Sequence, residues 1–195
     1  MKKTILFSAL IVLSFCAAAQ EKTERLDSVV VSASRAGRNT PVTYENVGKG
    51  ALEATNPLNS LPMTLNLLPS VVTYNEGGTG LGASAMTIRG SKGSQINVTL
   101  NGVTLNDAES QEVFWMNIPA LTSLLSSVQV QRGLGTSASG AGAFGASINM
   151  NTAFVTPDPW ADVSFSAGSY NTFITTLAAS SGRTQKGFYA SGAYS

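Results

Sequence analysis

The chain has 195 residues, a formal charge of +1, 43% hydrophobic and 12% charged residues, no histidine, and one cysteine, Cys16. Without histidine there is no Ser-His-Asp or Cys-His catalysis and no His-ligated zinc. One thiol excludes an intrachain disulfide framework, and a charge near zero offers no basic surplus for nucleic acid.

The first residues read as a secretory leader. Lys2 and Lys3 form a positive start, Ile5 to Phe15 an apolar run, and Ala17-Ala18-Ala19 a small-residue cleavage site before Gln20. The apolar run is shorter than the roughly 20 residues that span a membrane. Acylation of Cys16 is disfavoured by the bulky Phe15 before it. Cleavage between Ala19 and Gln20 removes 19 of the 195 residues and leaves a chain without cysteine. That suits an oxidising compartment outside the cytoplasm.

Residues 20–46 are polar and charged, and are expected to be a flexible segment. One β-forming run interrupts them, Asp27-Ser28-Val29-Val30-Val31-Ser32-Ala33. Such a run can add as a strand to a partner's sheet, or it can be the first strand of the adjoining domain. Twenty residues of extended chain reach about 68 Å, well away from a folded body.

Residues 47–153 read as α+β. Asn59 and Ser60 are placed to cap a short helix with Leu61, Leu65 and Leu68 on one face, stopped by Pro69. Short strands are expected at Val71–Tyr74, Met86–Arg89 (ending at Gly90), Ile96–Leu100, Val103–Leu105, Val128–Arg132 (ending at Gly133) and Ser147–Thr152. Asn101-Gly102 is a hairpin-turn signal. Pro119 is expected to start a helix carrying Leu121, Leu124 and Leu125.

The Gly78-Thr79-Gly80-Leu81-Gly82 stretch imitates a dinucleotide-binding loop, but Ser84 to Arg89, just beyond it, read as a strand rather than the required helix. Asp107, Glu109 and Glu112 lack the glycine and spacing of a calcium loop, so a solvated turn is expected and no metal site. Asn97-Val98-Thr99 is a formal glycosylation sequon on a strand, read as chance.

Thr156-Pro157-Asp158-Pro159 breaks the chain, and residues 160–195 then alternate strictly. Val163, Phe165 and Ala167 alternate with serines; Phe173, Thr175 and Leu177 come next; Phe188, Ala190, Gly192 and Tyr194 continue. Strands of about ten residues with one apolar side suit a transmembrane barrel. A closed barrel needs at least about eight strands, and these residues make about three. The chain is therefore expected to be the N-terminal part of a longer protein.

Taken in order, these motifs resemble those of TonB-dependent outer-membrane receptors. Residues 27–33 resemble the TonB box. Met86-Thr87-Ile88-Arg89-Gly90 resembles the "IRG" element of the plug, and Val98 to Asp107 its "DG-(V/I)-P" hairpin. Val128-Gln129-Val130-Gln131-Arg132-Gly133, then Gly140 to Thr152, resemble the end of the plug. Arg89, Gly90, Asn101, Gly102, Arg132, Gly133 and Gly145 are its structural positions. Some positions depart from the pattern: Gln129 stands where Glu is frequent, Asn101 for Asp, Thr104 for Pro and Ala146-Ser147 for Gly-Gly. Losing the Glu removes a charge partner for Arg89 or Arg132.

The resemblance implies a small mixed-sheet plug with short helices, followed by the first antiparallel strands of an outer-membrane barrel. It implies a receptor and transporter, not an enzyme, without cofactor. Its ligand would be a metal chelate such as a ferric siderophore, or cobalamin. Its partners would be the TonB C-terminal domain with ExbB and ExbD, and outer-membrane lipid. Loops Tyr74–Gly82 and Asp107–Trp115 are expected to face ligand, with Tyr74, Glu76, Glu109, Gln111, Phe114 and Trp115 as contacts. A glycan- or oligopeptide-importing relative and a non-transporting exported β protein are the rival readings.

Overall fold

A computed structural model describes residues 35–37, 40–55, 59–119, 121–134, 143–152, 158–169, 171–184 and 187–194. Strand β1 (Thr43–Gly48) runs straight into helix α1 (Lys49–Ala54). Helix α2 (Leu61–Leu65) precedes a hairpin of β2 (Val71–Asn75) and β3 (Ser84–Ile88). Strands β4 (Ile96–Leu100) and β5 (Val103–Thr104) come next, then helix α3 (Leu121–Leu124), β6 (Leu125–Arg132) and β7 (Ala146–Thr152). The described chain ends with β8 (Trp160–Gly168), β9 (Thr172–Ser180) and β10 (Ser191–Tyr194).

Five strands form a mixed sheet in the order β1-β6-β7-β4-β5. β4 and β7 pair in parallel and the other neighbours antiparallel. β4 and β5 are joined at Asn101-Gly102, where both residues have positive φ (51° and 86°) and Leu100 faces Val103. That is the two-residue primed turn expected from the dipeptide, which suits the twist of the flanking strands.

The sheet is buried on both faces, with opposite chemistry. On one face Ile96, Val98, Val128, Val130, Ile148 and Met150 are each at most 3% exposed. They form the core with Leu52, Leu61, Leu65, Met86, Ile88 and Trp115. On the other face Asn97, Thr99, Gln129, Gln131, Ser147 and Asn149 are buried. The registers align Asn46, Gln129, Asn149 and Thr99 in one row across β1, β6, β7 and β4. Hydrogen bonds run along that row, from Thr99 Oγ1 to Asn149 Oδ1 at 2.8 Å and from Gln129 Nε2 to Asn46 Oδ1 at 2.8 Å. The sequon at Asn97 lies in this buried face.

Several local readings change: α2 ends at Leu65, so Leu68 lies beyond the helix, and Arg89, expected to end a strand, lies past β3 with φ 51°. Thr43–Asn46, expected to be flexible, lie in β1, which holds its place by backbone pairing with β6. Ser60 sits at the N-cap of α2 but its side chain does not cap; its Oγ meets Ser84 Oγ at 2.8 Å instead. Leu125, expected on a helix, is the first residue of β6 and is 1% exposed.

β8, β9 and β10 form a separate antiparallel sheet in the order β10-β9-β8. Here the apolar side faces away from the five-stranded unit. Val163, Phe165 and Phe173 are 73%, 67% and 62% exposed. Phe165 and Phe173 stack with ring centroids 6.0 Å apart. The small polar side turns inward, where Ser164 hydrogen-bonds Thr176 across the pair. Each strand of this hairpin has nine residues, about 30 Å at 3.3 Å per residue, which is the thickness of a bilayer's hydrocarbon core.

Candidate functional site

The β2–β3 hairpin carries the glycine-rich loop. Asn75 organises it: its Nδ2 donates to Leu81 O (2.7 Å) and Ala83 O (3.4 Å), and its Oδ1 accepts from Gly80 N (3.3 Å). Ser60 N donates to Gly80 O at 2.9 Å, fixing the loop to the start of α2. The loop leads into β3, so no helix N-terminus meets it and the dinucleotide likeness has no structural counterpart.

The segment after β5 folds back through two side chains. Asn106 Oδ1 accepts from Val98 N at 2.8 Å, and its Nδ2 donates to Ile96 O and Gln111 O at 2.9 and 2.7 Å. Asp107 Oδ2 accepts from Glu109 N, Ser110 N and Ser110 Oγ at 2.8–3.1 Å. These bonds, Ser110's first, hold the Asp107 carboxyl below its ordinary pKa. The acidic cluster is thus a turn, and among the described residues no group of three acidic, histidine or cysteine side chains could hold a metal ion.

The hairpin and the refolded segment enclose a cleft of about 370 Å³. Tyr74, Glu76, Phe114 and Trp115, four of the six expected ligand contacts, line it together. Trp115 is 7% exposed and packs into the core, whereas Phe114 and Tyr74 are 52% and 57% exposed. Glu109 and Gln111 are not in the wall: Glu109 belongs to the Asp107 turn, and Gln111 Nε2 donates to Ala108 O at 2.9 Å. Lys92 and Glu112 line the cleft without having been singled out as contacts. Nothing in the local sequence marks Lys92; its place depends on the turn at Arg89-Gly90, where φ is 51° and 79°.

The structural positions close the base of this unit. Arg89 N donates to Ser70 O at 2.9 Å, and its Nη1 to Arg132 O at 3.2 Å. Arg132 reaches Pro69 O at 3.2 Å and pairs with Glu45 at 2.8 Å, so β1 supplies the acid that position 129 does not. Gly133 N donates to Gly145 O, and Gly145 N to Gln95 O. A Cβ on Gly145 would collide with the Ser91 side chain, so this crossing requires glycine.

Two contacts tie the unit to the β8–β9 hairpin. Near Trp160, Lys49 Nζ pairs with Asp162 at 3.3 Å and Glu53 at 3.5 Å. Burial alone would lower the Lys49 pKa, but the bond and charge of Asp162, with Glu53, outweigh it and leave it raised. At the other end of the hairpin, Leu81, Ile118, Pro119, Leu121 and Leu124 border Thr172–Thr175. The N-terminal lead reaches the sheet at Arg35 and Ala36, on its polar face. Residues 27–33 and the Ala19–Gln20 junction lie outside the described residues.

A family model for the TonB-dependent receptor plug domain matches residues 36–147. The chain belongs to this family. Its five-stranded unit is the plug, and β8–β10 are the opening strands of the barrel. Plug-domain receptors are outer-membrane transporters, not enzymes, and the chain takes that location. Solved structures of similar fold include the ferric yersiniabactin uptake receptor FyuA from Yersinia pestis, at 19% identity and a TM-score of 0.57 over 78% of this chain. The siderophore receptor PiuA from Acinetobacter baumannii matches at 23% identity and 0.58 over 79%. The copper transporter OprC matches at 20% and 0.55 over 72%. The chain spans only 20–23% of the length of these three structures. No curated protein matches it.

Proposed function

We propose that this chain is the N-terminal portion of a TonB-dependent importer. Residues 1–19 are the export leader, 20–46 the lead carrying the TonB box at 27–33, 47–153 the plug and 160–195 the beginning of the barrel. The observation that carries the reading is the pairing of a plug with a sheet whose apolar side faces outward. That arrangement has a use only where lipid surrounds the sheet and the plug fills its polar interior.

The ligand is a small metal chelate, such as a ferric siderophore, or cobalamin. Receptors for ferric yersiniabactin and ferripyoverdine, a copper transporter and a hemophore receptor share the fold, which supports this class. The Tyr74–Phe114 cleft is the plug's contribution to binding. Its glycine-rich loop adjoins the Thr172 end of the hairpin, opposite the Trp160 end where the barrel begins, which supports an outward-facing cleft.

TonB, driven by ExbB and ExbD, pairs with Val29-Val30-Val31 as an added strand and pulls. In the full-length receptor, Val30→Pro removes a strand donor. With a panel of ferric siderophores and cobalamin as probes, energised uptake is expected to fall to background while surface binding persists. Undiminished uptake would remove the TonB-box assignment.

A further inference from the structure

The lead enters the plug on the polar face of the sheet, at a point the import reading does not need. Arg35 and Ala36 lie across this face, 92 to 114 residues in sequence from the residues they touch. Arg35 donates to Ser127 Oγ at 3.0 Å, Ser127 O at 3.1 Å and Asn149 O at 2.9 Å. Ala36 is held by one side chain in both directions. Gln129 Oε1 accepts from Ala36 N at 2.7 Å, and Gln129 Nε2 donates to Ala36 O at 3.0 Å. This is how a neighbouring strand's backbone would pair, supplied here by a carboxamide.

The Gln129 carboxamide has two donors and two acceptor lone pairs. Its second donor goes to Asn46 Oδ1 at 2.8 Å, and its oxygen also accepts from Gln131 Nε2 at 2.9 Å. Every hydrogen-bonding position is used, in a side chain 2% exposed. A glutamate could keep the bond from Ala36 N. Ionised, it could not donate, and would set a carboxylate against Ala36 O, while Asn46 would have to turn its amide to donate instead. Arg35, the charged group brought here by the lead, is already committed to Ser127 and Asn149.

We infer that Gln129 is a clasp: it positions the lead against the plug, and it works because it is glutamine rather than glutamate. Resting on the import reading, the clasp, together with the Arg35 bonds that precede it, is a contact that tension on residues 27–33 must open. Its opening frees the Gln129 carboxamide, one member of the hydrophilic row Asn46–Gln129–Asn149–Thr99 that crosses four strands.

The test uses the full-length receptor in lipid, without TonB. A single spin label is placed at Ser34→Cys in a cysteine-free background, and its mobile and immobile populations are measured. Gln129→Glu and Gln129→Met are expected to raise the mobile-to-immobile ratio about tenfold, the scale of losing one or two hydrogen bonds. Ala36→Pro breaks the clasp from the lead's side, changes no sheet residue, and is expected to do the same. Thr99→Val removes a bond from the same polar face without touching the lead, and is expected to leave the label unchanged. The inference is overturned if the label stays immobile in Ala36→Pro and in the Gln129 variants that fold. It is equally overturned if Thr99→Val loosens the label as much, since the face as a whole would then hold the lead. The readout does not involve uptake, so failure of the import reading leaves this result standing.

Discussion

The plug sheet and the β8–β10 sheet use the same period-2 alternation with opposite sense. In the plug, Val130, Ile148 and Met150 have no measurable exposure and point at helices and a hairpin of the same unit. In the barrel strands, Val163 and Phe165 point away from all described protein, while Ser164 and Thr176 point toward the plug. Alternation fixes which residues share a face, but the surroundings decide which face is inside. A sequence of serines opposite phenylalanines is a half-buried sheet in water and an inverted one in lipid.

Substitutions that act on one face break this comparison most sharply. The largest effect is expected from Ile148→Ala, which opens a cavity where three strands and the helix layer meet. It should cost the plug about 2–5 kcal/mol, read by chemical denaturation of the full-length receptor with a plug-specific probe. A loss below about 1 kcal/mol would mean that the apolar face is not the core.

Phe165→Lys is expected to cost about 2–4 kcal/mol in bilayer refolding, because the charge enters hydrocarbon. Ser166→Lys, one residue on and turned inward, should cost much less. Equal costs at the two positions would contradict the outward assignment.

The smallest expected effect lies at the contact between the two sheets. Lys49 and Asp162 are each about half exposed, so Lys49→Met should cost no more than about 1 kcal/mol. The pH dependence has a defined sign. A lysine whose pKa is raised on folding stabilises fully below its ordinary 10.5 and loses that contribution as pH climbs through the raised value. Wild type should therefore lose its advantage over Lys49→Met only in that alkaline range. Loss near neutral pH would assign the contact to something other than Lys49.

The sequence was most legible where geometry is local. Asn101-Gly102 announces its own turn because both residues tolerate positive φ, and Ile96–Leu100 is a strand with the expected bounds. Which residues of β8 and β9 share a face was legible for the same reason. What could not be read was set by distant partners. The burial of Gln129 depends on Ala36, and β1 exists because β6 offers it an edge. At the cleft, Tyr74 and Phe114 come from the two segments expected to face ligand. Lys92 was not foreseen, since only the fold of the Arg89-Gly90 turn brings it there. Glu109 and Gln111 share a loop with Phe114, but the Asp107 turn carries them out of the wall.

The most direct test of the TonB-dependent reading is titration of the full-length receptor with the purified TonB C-terminal domain. Wild type is expected to bind saturably, and the Val30→Pro receptor at least about tenfold more weakly, because a proline in the added strand removes a backbone donor. Equal affinity of the two receptors, or no binding by either, would contradict the account.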